Sequence, residues 1–139
     1  MTVYRLAYFS RPAPGITAED VRAIATNAGR RNADLAVTGM LIHEFNRFIQ
    51  LLEGPLEAIE TLMTAIIADK RHTEIRIFLR QSAAEPSLSR WIMWSDFDRM
   101  AMSRRELDLR EEIVRAALES LAELDAERRN AGAVGDGAA

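Results

Sequence analysis

The sequence contains no cysteine and only two histidines among its 139 residues. The first absence excludes disulfides, cysteine-ligated zinc or iron–sulfur sites and thiol nucleophiles, and the second argues against a histidine-rich metal site. No apolar run is long enough to cross a membrane, and Arg5 interrupts the apolar start that a secretion signal would need. We therefore expect a cytoplasmic protein that makes no membrane contact.

The sequence also lacks an excess of basic residues: it has 18 basic and 21 acidic residues, for a net charge of −3. This balance argues against a nucleic-acid partner, because such binders need a basic surface. The sequence has no phosphate-binding loop, GxGxxG or GxSxG motif, so neither a dinucleotide cradle nor a hydrolase nucleophile is indicated. The composition is 48% apolar and the chain has 139 residues, which together suit one globular domain.

Hydrophobic periodicity predicts an alternation of strands and helices. Strands are predicted at about residues 3–10, 37–44, 47–53, 74–80 and 90–97. Thr17 and Pro55 mark the starts of two helices, which we expect to end near Asn32 and Asp69. The order β-α-β-β-α-β-β predicts a ferredoxin-like α+β sandwich, with two helices on one face of a five-stranded mixed sheet.

Residues 98–130 are predicted to form a further helical segment. Ser103 and Glu106 make a capping-box pattern. An apolar stripe follows at Leu107, Ile113, Val114, Ala117, Leu118, Leu121 and Leu124. We favour folding of this segment over the open face of the sheet, but its seven-residue repeat also suits pairing with a partner helix, as in a homodimer. Residues 131–139 show no periodicity and are predicted to be a flexible tail.

Gln50 is the most informative residue in the predicted sheet, because it places an amide in an apolar row between Phe48 and Leu52. Burying an amide without a hydrogen-bond partner costs about 1–3 kcal/mol. Tyr8, in the middle of the first strand, is the obvious partner, since a buried phenol needs one as well. Periodicity alone favours a purely structural Tyr8–Gln50 hydrogen bond.

Other candidate residues have ordinary explanations when each is taken alone. Asn32 follows a helical stripe and suits a helix C-cap. The residues DKRH at 69–72 suit a solvated turn. Trp91 and Met93 share one face of the last strand, where large apolar side chains usually fill a core.

Taken together, five stretches of the chain resemble the BLUF family, the blue-light sensors that use FAD. They are YRLAYFS at the start, N-x5-TGMLI at 32–42, FIQLLEG at 48–54, DKRH at 69–72 and W-x-M at 91–93. Each is weak alone, but the five occur in order and with family-like spacing. The resemblance implies a flavin-binding sensor domain over residues 1–97 and a helical cap or output segment over 98–130.

The resemblance also implies roles for individual residues. Tyr8 stands at the photoactive tyrosine of the family, Gln50 at its switching glutamine and Asn32 at the asparagine that holds the flavin ring. Trp91 and Met93 match the output pair, either of which can lie near the glutamine. The flavin, FAD or FMN, would lie between the two helices and also contact Ile24, Arg31, Ile66, Asp69, Arg71 and His72.

Two positions depart from the family pattern. Arg31 stands where relatives often have asparagine or histidine, and Ala65 stands where some have a basic residue. Both departures bear on flavin affinity and on the choice between FAD and FMN.

The implied function is that of a blue-light photoreceptor. Electron and proton transfer from Tyr8 to the excited flavin would rearrange the hydrogen bonds of Gln50 and produce a red-shifted state. That state would be relayed to a separate effector protein, without net turnover, so we do not expect an enzyme. Two alternatives stay open: a flavin-dependent redox enzyme on the same scaffold, and a cofactor-free ferredoxin-like regulatory module in which Tyr8 and Gln50 only satisfy each other.

Overall fold

The computed structural model of the chain describes residues 2–96 and 99–138, with side chains up to residue 132. Its strands are β1 (Val3–Pro12), β2 (Thr38–Glu44), β3 (Arg47–Gly54), β4 (His72–Ala83) and β5 (Trp91–Ser95). Its helices are α1 (Ala18–Asp34), α2 (Leu56–Ala68) and α3 (Arg104–Ala138). The predicted element order is confirmed.

The strands form one sheet in the order β4-β1-β3-β2-β5, with β2 and β5 parallel and the other neighbours antiparallel. This is the mixed sheet that the sequence predicts. Phe45 and Asn46 connect β2 to β3 with φ values of 56° and 54°, as expected for a two-residue hairpin turn. Strands β1, β3 and β2 lie inside the sheet, and most side chains of β1 and β3 are buried.

Helices α1 and α2 pack on one face of the sheet. α1 begins at Thr17, whose hydroxyl accepts from the Asp20 amide at 3.1 Å while the Asp20 carboxylate accepts from the Thr17 amide at 2.9 Å. This capping box supplies acceptors for two amides that the first turn leaves unpaired. α2 begins directly after Pro55, as predicted, and presents Ile59, Leu62 and Ile66 to the sheet.

Helix α3 crosses the opposite face. Leu109, Ile113 and Ala117 pack into one core cluster with Phe9 of β1 and Ile42 of β2. The fold-back interpretation is therefore confirmed, and the capping box of Ser103 and Glu106 is present. Pairing of α3 with a second copy stays a prediction.

Two details, one in α3 and one in β5, differ from the prediction. Leu118 of the predicted stripe is 47% exposed. The buried positions Leu109, Ile113 and Ala117 are four residues apart and share one face of the helix, whereas Leu118 directly follows Ala117 and points away from that face. Helix α3 extends up to Ala138, and the flexibility of the tail at residues 131–139 stays a prediction. β5 is shorter than predicted, and residue 97 lies outside the described residues.

The described helices include none with the length and apolar character needed to span a membrane.

Candidate functional site

A cavity opens between α1, α2 and the face of the sheet on which these two helices pack. The cavity is narrow, with a volume of about 40 Å³. Ile24 and Ala28 of α1 and Ile66 of α2 form apolar walls, and Leu41 and Phe48 belong to the sheet side. The predicted site residues that line this cavity are Tyr8, Ile24, Arg31, Gln50, Ile66, Asp69, Arg71 and His72.

Tyr8 and Gln50 meet at the sheet side of the cavity. They are directly paired across β1 and β3, and the Tyr8 hydroxyl donates a hydrogen bond to Gln50 Oε1. Both residues are only 3% exposed. Burial raises the pKa of the Tyr8 phenol above its ordinary range, so the phenol is neutral at physiological pH.

Asn32 is buried and belongs to the interior of α1, so its interpretation as a C-cap is wrong: the helix continues to Asp34 and its C-cap is Leu35. The two polar atoms of its carboxamide have no hydrogen-bond partner among the described residues. Asn32 does not itself line the cavity, but it lies one turn beyond the lining residue Ala28, on the same side of α1. An unsatisfied buried amide costs about 1–3 kcal/mol, and a polar ligand would remove that cost.

His72 is held by the protein at both ring nitrogens. Its Nε2 donates to the Ile66 carbonyl at 2.7 Å, since a carbonyl only accepts, and its Nδ1 lies 2.7 Å from the Ser10 hydroxyl. The imidazole thus connects β1, α2 and β4, with its ring centroid 6.2 Å from those of Tyr8 and Phe48. Sequence reasoning assigned no role to Ser10, although it shares a strand face with Tyr8.

Charged groups surround the mouth of the cavity. Arg71 Nη2 lies 2.6 Å from Asp69 Oδ2, and the Arg71 side-chain hydrogen bond is the main reason why the pKa of Asp69 is lowered. Arg31 also lines the cavity and makes no ion pair with any described residue. Its positive charge lies close enough to act on the pKa of Tyr8, where it partly opposes the effect of burial.

Trp91 and Met93 share one face of β5 but do not line this cavity. Met93 pairs with Leu41, which in turn pairs with Gln50, so Met93 lies in the cross-strand row of the glutamine with one strand between them. Trp91 pairs with Gly39 in the adjacent row. Both residues line a separate groove between α1 and β5.

Sequence reasoning missed Asn27, Ala28, Leu41 and Phe48 as lining residues. The four-residue spacing from Ile24 could have indicated Ala28, whereas Leu41 depends on the register between β2 and β3.

Comparisons with known proteins identify the family of the chain. The family model for sensors of blue-light using FAD, called BLUF, matches residues 3–94. The chain belongs to the BLUF family. It is therefore a flavin-using blue-light sensor, and FAD is the flavin that the family description names.

Relatives of this BLUF chain include both curated proteins and solved structures. The photoactivated adenylate cyclase subunit beta of Euglena gracilis is 39% identical over 74 residues, which are 53% of this chain and 9% of that protein. The chain thus spans under a tenth of that relative.

The dark-state structure of the BLUF protein BlrB has 33% identity and a TM-score of 0.61, with coverage of 67% of this chain and 70% of that one. The structure of Klebsiella pneumoniae BlrP1 with FMN and cyclic diGMP has 29% identity and a TM-score of 0.62, and the match covers 81% of this chain and 30% of that chain.

The chemical character of the residues at the cavity suits a flavin. A flavin ring is flat and largely apolar on its faces, and its edge carries carbonyl oxygens and ring nitrogens. Ile24 and Ile66 supply apolar walls. Next to the cavity, the unsatisfied carboxamide of Asn32 has a donor and an acceptor of the kind that such an edge needs.

Proposed function

We propose that Tyr8 and Gln50 carry the photochemistry of this blue-light sensor. The observation that supports this assignment is the hydrogen bond from the buried, neutral Tyr8 phenol to Gln50 at the sheet side of the cavity. Asn32 and Arg31 would hold the polar edge of the flavin, and Ile24 and Ile66 its faces. Asp69, Arg71 and His72 would surround the remainder of the cofactor at the mouth.

The flavin, when bound, absorbs blue light and in its excited state accepts an electron. Tyr8 can supply that electron together with its proton, because the phenol begins neutral and already donates to Gln50. The carboxamide of Gln50 carries both an acceptor oxygen and a donor nitrogen. Once the electron and the proton have returned to Tyr8, a rotated or tautomerised amide would present a donor where it presented an acceptor. A glutamate could not do this, because an ionised carboxylate only accepts.

We infer that output passes from this pair through β5 to α3. Met93 lies in the cross-strand row of Gln50, and Trp94, the next residue, faces α3. Trp94 Nε1 donates to Glu44, and Arg110 of α3 contacts the same carboxylate at 2.5 Å. The Arg110 guanidinium lies 4.3 Å from the centroid of the Trp94 ring. These contacts connect the edge strand to the helix.

Energetics limits what this connection can do. Rearranging one hydrogen bond is worth about 1 kcal/mol, whereas inverting a 99:1 population requires about 5.5 kcal/mol. The output therefore needs a nearly balanced contact, which we place between α3 and a separate effector protein. This role is signalling without turnover, so we propose no enzymatic activity for the chain itself.

A visible absorption spectrum before and after blue illumination tests the proposal. The purified flavin-loaded protein should show a red shift that reverses in the dark. Oxidation of a reduced donor in the dark at steady state would favour the redox-enzyme alternative. A colourless protein that cannot be reconstituted with flavin would favour the cofactor-free module. Chromatography of the released flavin decides between FAD and FMN.

A further inference from the structure

The indole of Trp91 lies between two glycines. Gly39 of β2 is its direct partner in the parallel β2–β5 pair, and a Cβ added there would lie 3.4 Å from Trp91 Cζ3. On α1, a Cβ added at Gly29 would lie 2.9 Å from Trp91 Cδ1 and 3.2 Å from its Nε1. The indole therefore occupies space that side chains at either position would need. We call this space, bounded by Gly29 and Gly39, the glycine slot.

Gly29 has no backbone reason to be glycine. It lies well inside α1, where glycine is less favourable than alanine, and its φ is not positive. The close approach of the indole is the constraint that the structure shows at this position. Gly39 is different, because a Cβ there would also lie 2.3 Å from the Leu51 carbonyl oxygen, so the sheet itself requires glycine.

We propose that Gly29 is a positioning residue. Because it has no side chain, it leaves the glycine slot open for the indole of Trp91, which then stays away from the cavity of Tyr8 and Gln50. The proposal rests on the proposed function, in which β5 transmits the output. A methyl group at position 29 would displace the indole. Trp91 is only two residues from Met93 on the same face of β5, so its displacement alters the strand next to the row of Gln50.

The test compares Gly29→Ala with Gly132→Ala. Gly132 is also a helical glycine, but a Cβ there meets nothing within 4 Å. Trp91 and Trp94 are the two tryptophans of the chain, so a Trp94→Phe background makes Trp91 the single indole emitter. Emission is recorded in the dark on the protein as purified. Dark recovery after illumination is recorded with Trp94 intact.

Gly29→Ala should change the intensity and wavelength of Trp91 emission and alter the recovery rate several-fold, whereas Gly132→Ala should change neither. In a Trp91→Ala background, Gly29→Ala should have no further effect on recovery. Unchanged emission in Gly29→Ala overturns the proposal. A recovery effect that persists in the Trp91→Ala background also overturns it, because the effect would then come from movement of α1. A shifted dark flavin band together with unchanged Trp91 emission would point to the same movement of α1. If the parent protein shows no light-induced shift, the proposed function fails, but the emission comparison still decides the role of Gly29.

Discussion

Gln50 accepts a hydrogen bond from Tyr8 at directly paired positions of β1 and β3. Each of these strands has a neighbour on both sides, so ladder hydrogen bonds hold the two backbones in register. The pair is therefore fixed relative to the sheet. A change in its hydrogen bonding must come from the side chains, and this is the property that a photochemical switch requires.

Tyr8→Phe should retain the flavin and its yellow colour but abolish the light-induced red shift. The phenylalanine ring still fills the same place in the core. It lacks the hydroxyl group, so it has no phenolic proton to donate and is much harder to oxidise. Tyr4→Phe is the matched control, because it removes the other tyrosine hydroxyl from the same strand. Difference absorption spectra decide the outcome. A normal red shift in Tyr8→Phe would remove this residue from the mechanism.

Gln50→Leu should also abolish the red shift, and it should alter the dark spectrum, because the amide belongs to the lining of the cavity. Leucine is similar in size but can neither donate nor accept. Gln81→Leu is the control, since Gln81 is the other glutamine of the chain and is exposed. Retention of a normal photocycle in Gln50→Leu would contradict the proposed switch.

Asn32→Leu should separate flavin binding from folding. In the flavin-free protein it removes an unsatisfied buried amide, so the free energy of unfolding should stay the same or rise. In the loaded protein it should weaken flavin binding about tenfold, the equivalent of about 1.4 kcal/mol in lost hydrogen bonding. Urea unfolding and flavin titration measure the two effects, with the exposed Asn130→Leu as control. A large loss of stability without flavin would show that Asn32 is structural.

The raised pKa of Tyr8 predicts a pH dependence of stability. The unfolded phenol titrates near its ordinary value of 10.0, whereas burial keeps the folded phenol protonated to higher pH. Above that value the unfolded state binds fewer protons, so the free energy of unfolding falls as pH rises, by up to about 1.4 kcal/mol per pH unit. Below it, the contribution is constant. Tyr8→Phe should remove this part of the slope between about pH 10 and about pH 11.5. Equal slopes in the two proteins would mean that the phenol is not buried in solution.

Local patterns predicted much of this arrangement. Alternation along FIQLL and the cost of an unsatisfied amide together predicted the contact between Tyr8 and Gln50. The start of α1 at Thr17 and the capping box of α3 could be predicted because their chemistry lies within four residues of sequence. The cover of the second sheet face followed from the need to bury it.

Other features depend on contacts that no local pattern contains. Asn32 follows an apolar stripe just as a C-cap does, and its true place became clear only because α1 continues to Asp34. The glycine slot joins Gly29, Gly39 and Trp91 from three elements and depends on strand register and helix placement. Such pairings between distant segments are decided by packing, which periodicity does not specify.

Ile113→Ala should destabilise the chain by about 2–4 kcal/mol, because Ile113 is 3% exposed in the core between α3 and the sheet. Leu118→Ala, at a 47% exposed position of the same helix, should change stability by less than about 0.5 kcal/mol. The red shift should survive in both variants, because α3 covers the face opposite to the cavity, whereas any response that passes through α3 should weaken in Ile113→Ala. Urea unfolding and difference spectra measure these effects. Equal stabilities of the two variants would mean that α3 is not docked in solution, and loss of the red shift in Ile113→Ala would make α3 a support of the flavin site.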